Sequence, residues 1–170
     1  MSLPSISRRQ LNLFGFLACA AMMGFALYAE HFLGLVPCNM CILQRLCVIA
    51  LGGTFLLAAV HDAGPVGARL WGVAILLVAA VGVAVAGRHV WMQAQPPGSL
   101  PSCGADFAAL IEMMPVHQAI RKVLMGGGDC QAITWTLFGL SMPVWVVIAL
   151  AVLGLKGLAG NFVLKGPGGR

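Results

Sequence analysis

Four apolar stretches recur along this chain, each close to the length that a helix needs to cross a membrane. They cover approximately residues 11–29, 42–60, 70–87 and 143–164. A helix of about 20 residues spans the roughly 30 Å of hydrocarbon in a bilayer. Hydrophobic residues make up 60% of the chain and charged residues only 9%, and the mean hydropathy is +0.94. We therefore predict an all-α membrane protein in which residues 1–170 form one domain, a four-helix antiparallel bundle.

The ten lysine and arginine residues divide unevenly between the two ends of such a bundle. If the helices alternate in direction, one end holds Arg8, Arg9, Arg69, Lys156, Lys165 and Arg170, and the other holds Arg45, Arg88, Arg121 and Lys122. Because basic residues are retained on the cytoplasmic side of a membrane, we expect both termini in the cytoplasm. The loops that cover approximately residues 30–41 and 88–142 are then expected on the outer side.

The net charge of +5 does not indicate a nucleic-acid partner. Basic residues that a membrane separates form no continuous patch, so we exclude nucleic-acid binding. The first apolar stretch follows two arginines, as in an export signal, but it is longer than a signal-peptide core and no small-residue cleavage pattern follows it. We expect it to stay in the chain as an uncleaved helix.

Four of the six cysteines lie in segments predicted to be outside the membrane or at its outer edge: Cys38, Cys41, Cys103 and Cys130. The first two form a Cys-x-x-Cys where the second span begins. Pro37 suits the start of a helix, so both thiols are predicted in the first turn, where the helix dipole favours a thiolate. Arg45 follows Cys41 by four residues and adds a positive charge on the same helical face. The pattern favours electron transfer, and the alternative for Arg45 is an interfacial anchor.

The long loop between the third and fourth spans contains proline and glycine near each of its two cysteines. This density indicates flexible backbone at both ends of the segment. Between them, residues 107–114 and 116–125 are predicted to form short amphipathic helical turns at the membrane interface, interrupted at Pro115. A bridge from Cys103 to Cys130 would either staple this loop or take part in thiol–disulfide exchange.

One histidine is a candidate for ligand binding. His89 lies at the outer end of the third span, at the depth of Cys41 and Arg45, where it can offer a hydrogen bond to a carbonyl-bearing ligand. Cys19 and Cys47 lie inside spans and are predicted to be packing residues. The sequence shows no internal repeat and no β pattern.

Motifs along nearly the whole chain, in order, resemble those of the bacterial disulfide bond formation protein B family, DsbB. They are Pro37-Cys38-x-x-Cys41-x-x-x-Arg45, His89, Cys103, Gly128-Asp129-Cys130 and Phe138-Gly139-Leu140-Ser141-Met142-Pro143-Val144-Trp145. One departure lies beside the arginine, where Gln44 occupies a position at which the family frequently has an acidic residue. It bears on the details of ligand contact and leaves the four cysteines untouched.

The resemblance implies a protein-dithiol:quinone oxidoreductase in the bacterial inner membrane, with its active cysteines on the periplasmic side. Its implied partners are the periplasmic thiol oxidase DsbA, the membrane quinone pool and the lipid bilayer. Reduced DsbA would attack a Cys103–Cys130 disulfide and form a mixed disulfide at Cys103. The released Cys130 would then attack Cys38 and free Cys41.

The resemblance also implies how the electrons leave. Cys41 would pass them to a quinone, either ubiquinone or menaquinone, with Arg45 stabilising the charge and His89 contacting the quinone head. The expected catalytic residues are therefore Cys38, Cys41, Cys103, Cys130 and Arg45, and the expected cofactor-binding residues are Cys41, Arg45 and His89. No metal is expected.

Two alternatives remain open. The four cysteines could form a zinc site, although structural zinc usually draws on two short cysteine motifs and an adjacent arginine opposes a cation. The chain could instead be a non-enzymatic membrane protein whose disulfides are structural. A thioredoxin-like domain is excluded, because its Cys-x-x-Cys needs a βαβ context that this sequence lacks.

Overall fold

The computed structural model describes residues 7–101, 104–125 and 128–164. Cys103 lies outside these residues, so the structure does not test the predictions that concern it. The helices are α1 (Arg8–His31), α2 (Asn39–His61), α3 (Pro65–Gln93), α4 (Phe107–Met113), α5 (Val116–Met125) and α6 (Met142–Val163). Of these, α1, α2, α3 and α6 are long and apolar enough to cross a membrane. The predicted all-α membrane fold with four spanning helices is confirmed.

The helix ends follow from local sequence. Ser7 caps α1 through a reciprocal capping box with Gln10. At the start of α3, Pro65 occupies the first turn, where its missing N–H costs nothing. The predicted third span stopped before Arg88, yet α3 continues to Gln93. Charge ends an apolar run in the sequence but need not end a helix whose polar side chains find partners.

The bundle packs through a central apolar core. Its buried members include Cys19, Val48, Leu51, Phe55, Ile75, Ala79 and Leu150, which come from all four long helices. Close approach of α3 and α6 depends on small residues, since a Cβ atom at Gly154 would lie only 2.6 Å from the Cβ of Ala79. Cys19 is buried in this core, as its predicted packing role requires.

Two asparagines join α1 to α6 near the end of the bundle where α1 begins. Asn12 Nδ2 donates to Asn161 Oδ1 at 3.1 Å, and Asn161 Nδ2 donates to Asn12 Oδ1 at 2.9 Å. Both side chains are buried. The reciprocal pair satisfies polar groups that would otherwise be costly within a membrane.

The long loop folds back onto the opposite end of the bundle. As predicted, α4 and α5 are separate short helices, broken at Met114 and Pro115. Their buried apolar side chains, Phe107, Leu110, Ala119 and Val123, form a second core with Met40, Leu43, Met92 and Cys130. Through this core, the loop packs against the start of α2 and the end of α3.

A short antiparallel hairpin, β1 (Thr136–Leu137) and β2 (Leu140–Ser141), leads into α6. Phe138 and Gly139 form its turn with φ values of 53° and 77°, the positive values that two-residue hairpin turns require. The sequence shows no β pattern in this segment. Strands of two residues are too short to show alternation in a sequence.

Candidate functional site

A cavity of about 650 Å³ lies between α1, α2 and α6, at the end of the bundle where α2 begins. Its walls are mainly apolar and include Met22, Phe25, Val48, Trp135, Trp145 and Val146. A small polar group lines the same space: Cys38, Cys41, Gln44, Arg45, His89 and Cys130. An apolar cavity with a few convergent polar groups is the usual form of a site for a small molecule.

Cys38 and Cys41 lie at the start of α2, as the Cys-x-x-Cys spacing predicts. Cys38 is the cap residue, one position earlier than expected, and its Sγ accepts a hydrogen bond from the Cys41 N–H at 3.4 Å. The two Sγ atoms lie 2.9 Å apart. The pair is therefore preorganised for forming and breaking a bond between its sulfurs.

The surroundings of the Cys38 thiol favour its protonated form. Hydrogen bonds with the thiols of Cys130 and Cys41, together with burial, raise the pKa of Cys38 above its ordinary value. The helix dipole alone favours a thiolate at both cysteines, as predicted from the sequence. At Cys38 the neighbouring thiols and the burial outweigh that effect.

Arg45 lies one turn deeper in α2 and has two partners in α1. Its Nη1 donates to the carboxylate of Glu30, and its Nη2 donates to the carbonyl oxygen of Ala26 at 3.1 Å. An anion and a carbonyl therefore stabilise this arginine at the membrane edge. Glu30 is not among the residues predicted for the site. The available signal was a single acidic residue at the end of an uncharged span, at the depth of the only arginine in the next span.

His89 lies near the end of α3 and is only 2% exposed. Its Nε2 is 3.2 Å from the carbonyl oxygen of Cys130, and its Nδ1 is 2.7 Å from Nε2 of Gln44. Because a carbonyl oxygen only accepts, Nε2 of the ring carries the hydrogen and Nδ1 accepts from the Gln44 amide. The ring is thus held as one neutral tautomer.

Cys130 ends the 3-10 turn Gly128–Cys130 and is 1% exposed. It belongs to the second core, against which Cys38 packs, and its carbonyl oxygen faces His89. The structure therefore brings together Cys38, Cys41, Cys130, Arg45 and His89, the predicted site residues that it describes. Cys103 lies outside the described residues.

The same cluster offers a set of metal ligands. The ligand atoms of Cys38, Cys41 and His89 all lie within 4.8 Å of one another. Thiolates with an imidazole suit a soft cation such as zinc. However, the His89 Nε2 that would face such an ion carries a hydrogen in the observed arrangement, so a metal would require the other tautomer.

The chain matches the family model described as disulfide bond formation protein DsbB over residues 8–159. A disulfide bond formation protein B from Methylobacillus flagellatus is 43% identical over 141 residues, which cover 83% of this chain and 85% of the relative. One from Xanthomonas campestris is 42% identical, covering 91% of each chain. Disulfide bond formation protein B 1 of Pseudomonas aeruginosa is 43% identical, covering 91% of this chain and 95% of the relative.

A family match across nearly the whole chain agrees with the four spanning helices and with the clustered cysteines at one end of the bundle. The protein is a multi-pass membrane protein of disulfide formation, and the chain belongs to the DsbB family.

Proposed function

We propose that this protein reoxidises a periplasmic dithiol oxidase of the DsbA type and transfers the electrons to a membrane quinone. One observation carries the proposal. Cys38 packs against the second core, which contains Cys130 of the long loop, and His89 Nε2 lies 3.2 Å from the Cys130 carbonyl oxygen and 3.8 Å from Cys38 Sγ. Cys41 and Arg45 line an apolar cavity at the membrane edge. This arrangement provides a path that begins in the loop and ends at a space suited to a lipid-soluble acceptor.

The first part of the path is thiol–disulfide exchange. A thiolate of the reduced partner attacks the Cys103–Cys130 disulfide, forms a mixed disulfide at Cys103 and releases Cys130. Cys130 then attacks Cys38, so that a Cys38–Cys130 bond forms, the Cys38–Cys41 bond breaks and the electron pair leaves on Cys41. The partner's second thiolate attacks the mixed disulfide, which forms the partner's own disulfide and releases Cys103 as a thiolate. The proximity of Cys130 to Cys38 supports this order.

The second part of the path lies at the cavity. Its apolar walls and its volume of about 650 Å³ fit the head group of ubiquinone or menaquinone. When bound, a quinone accepts two electrons and two protons. Cys41 faces the cavity as the electron donor, and Arg45 supplies positive charge beside it. His89 lines the same space and would contact the quinone head there.

The proposed location is the bacterial inner membrane, with the cysteine end of the bundle in the periplasm and both termini in the cytoplasm. The distribution of charge supports this orientation. Arg8 begins α1 and Arg69 lies in the first turns of α3, both at the end of the bundle opposite Cys38. Basic residues near span ends favour the cytoplasmic side.

The test combines the purified protein, a reduced DsbA-type oxidase and a quinone, and follows quinone absorbance together with the partner's thiols. One quinone should be reduced for each partner disulfide formed. Cys41→Ala is the matched control and should abolish quinone reduction. Failure of the parent to oxidise the partner would favour structural disulfides. Stoichiometric zinc in protein purified without reductant would favour the metal site.

A further inference from the structure

We propose that Gln44 and His89 act as a positioning pair that holds the backbone of Cys130 against Cys38 for exchange between the two cysteine pairs. The inference rests on the proposed function, because it concerns the internal step of that electron path. His89 then holds the Cys130 backbone in addition to its proposed contact with quinone. Gln44 selects the His89 tautomer.

His89 joins the two exchanging residues at a single atom. Its Nε2 lies 3.2 Å from the Cys130 carbonyl oxygen and 3.8 Å from the Cys38 Sγ. A hydrogen bond to the carbonyl fixes the backbone that carries the Cys130 thiol, and α3 fixes the ring. The approach of Cys130 to Cys38 is therefore set by a side chain that neither donates nor accepts electrons.

Gln44 makes this geometry possible from the other side of the ring. It is 5% exposed, follows Cys41 by three residues on the same face of α2, and contacts His89 Nδ1 at 2.7 Å. An amide can donate to Nδ1 and so leave the hydrogen on Nε2. A carboxylate at this position only accepts, which would place the hydrogen of a neutral ring on Nδ1 and turn a lone pair towards the Cys130 carbonyl.

Two other side chains hold the loop by the same kind of contact. Asn39 Nδ2 donates to the Ala105 carbonyl at 2.9 Å, and Arg88 Nε donates to the Leu124 carbonyl at 3.1 Å. Each tethers loop backbone to the start of α2 or the end of α3. Unlike these tethers, His89 acts at the cysteine itself, so its loss should alter exchange more than it alters folding.

The test measures how strongly the protein brings Cys38 and Cys130 together. In a Cys41→Ala, Cys103→Ala background, oxidised glutathione converts the two thiols to a Cys38–Cys130 disulfide and releases two reduced glutathiones. The equilibrium constant gives the effective concentration of one thiol at the other. Because this assay contains neither quinone nor partner, it stays informative even if the proposed quinone reduction fails.

Four variants separate positioning from packing. His89→Leu removes the donor and should lower the effective concentration about two- to tenfold. His89→Gln can place an amide N–H near the original Nε2 and should restore most of it. Gln44→Leu keeps the His89 ring but removes the amide that selects its tautomer. Its effective concentration should therefore lie between those of His89→Leu and His89→Gln. His117→Ala, at an exposed histidine of α5, is the matched control and should leave the value unchanged.

A structural role alone would give a different pattern. If His89→Leu and His89→Gln lower the value equally, the hydrogen bond is not what matters and the proposal is wrong. It is also wrong if His89→Leu matches His117→Ala. Should His89→Leu fail to fold, the comparison of Gln44→Leu with the parent decides the question, since that variant keeps His89 and its packing.

Discussion

Arg45 of α2 donates to the carboxylate of Glu30 in α1, and this ion pair lies at the edge of the cavity that Cys41 lines. Both side chains are partly buried. The contact compensates the charge of an arginine placed at a membrane boundary and links two helices beside the cysteines. It also means that the positive charge near Cys41 is held in position before any ligand binds.

We expect Arg45→Met to lower quinone turnover about ten- to a hundredfold, the effect of losing one charge-assisted interaction of about 1.5–3 kcal/mol. Arg45→Lys should restore activity only in part, because lysine keeps the charge and loses the planar donor fork. The measurement is turnover as a function of quinone concentration, with membrane expression checked for each variant. Unchanged rate and affinity in Arg45→Met would leave Arg45 as an interfacial anchor only.

Glu30 should act through Arg45. Removing its charge in Glu30→Gln leaves the guanidinium less well fixed, so we expect apparent quinone affinity to fall about two- to tenfold. A double-mutant cycle tests the link, since Glu30→Gln should have little further effect once Arg45 is Met. Additive losses in the double variant would show that the two residues act independently.

Cys103→Ala should stop electron entry from the partner protein. The Cys38–Cys41 pair should still exchange electrons with quinone when a small dithiol supplies them, because the loop pair is then bypassed. Quinone reduction is followed with each donor in turn. Normal partner oxidation by Cys103→Ala would mean that the proposed order of transfer is wrong.

Membrane orientation can be tested by labelling new cysteines at two exposed positions in a background in which Cys103→Ala and Cys130→Ala are combined. Ser99 lies in the long loop, and Val66 lies in the first turn of α3 at the other end of the bundle. A membrane-impermeant thiol reagent should label Ser99→Cys in intact spheroplasts and Val66→Cys only after lysis. The reverse pattern would overturn the proposed orientation.

The asparagine pair between α1 and α6 makes a prediction about stability. Asn12→Leu leaves the buried Asn161 Oδ1 without its hydrogen-bond donor, and the free energy of unfolding should fall by about 1–2 kcal/mol. Asn12→Leu combined with Asn161→Leu should recover part of the loss, because no buried amide is then left without its partner. Reversible unfolding in mixed detergent micelles measures both. Equal losses in the single and double variants would count against the pairing.

The spanning helices are predictable from sequence because apolar length is a local property. The approach of Cys130 to Cys38 was expected only from the family resemblance, since it depends on how α4 and α5 pack against Met40 and Met92. The contact of Arg45 with Glu30 was not predicted for a similar reason. Glu30 is fifteen residues away in another helix, and only the packing of α1 on α2 brings the charges together.

Hydrogen bonds between Asn12 and Asn161 join α1 to α6 at the end where α1 begins. At the other end, the cavity lies between the two helices. A molecule bound there can therefore extend a long substituent outward between the two helices instead of folding it inside the protein. For a quinone, that substituent is the isoprenoid tail. Quinones with short and long tails should then react alike at Cys41, with the length of the tail determining only how they partition into the lipid.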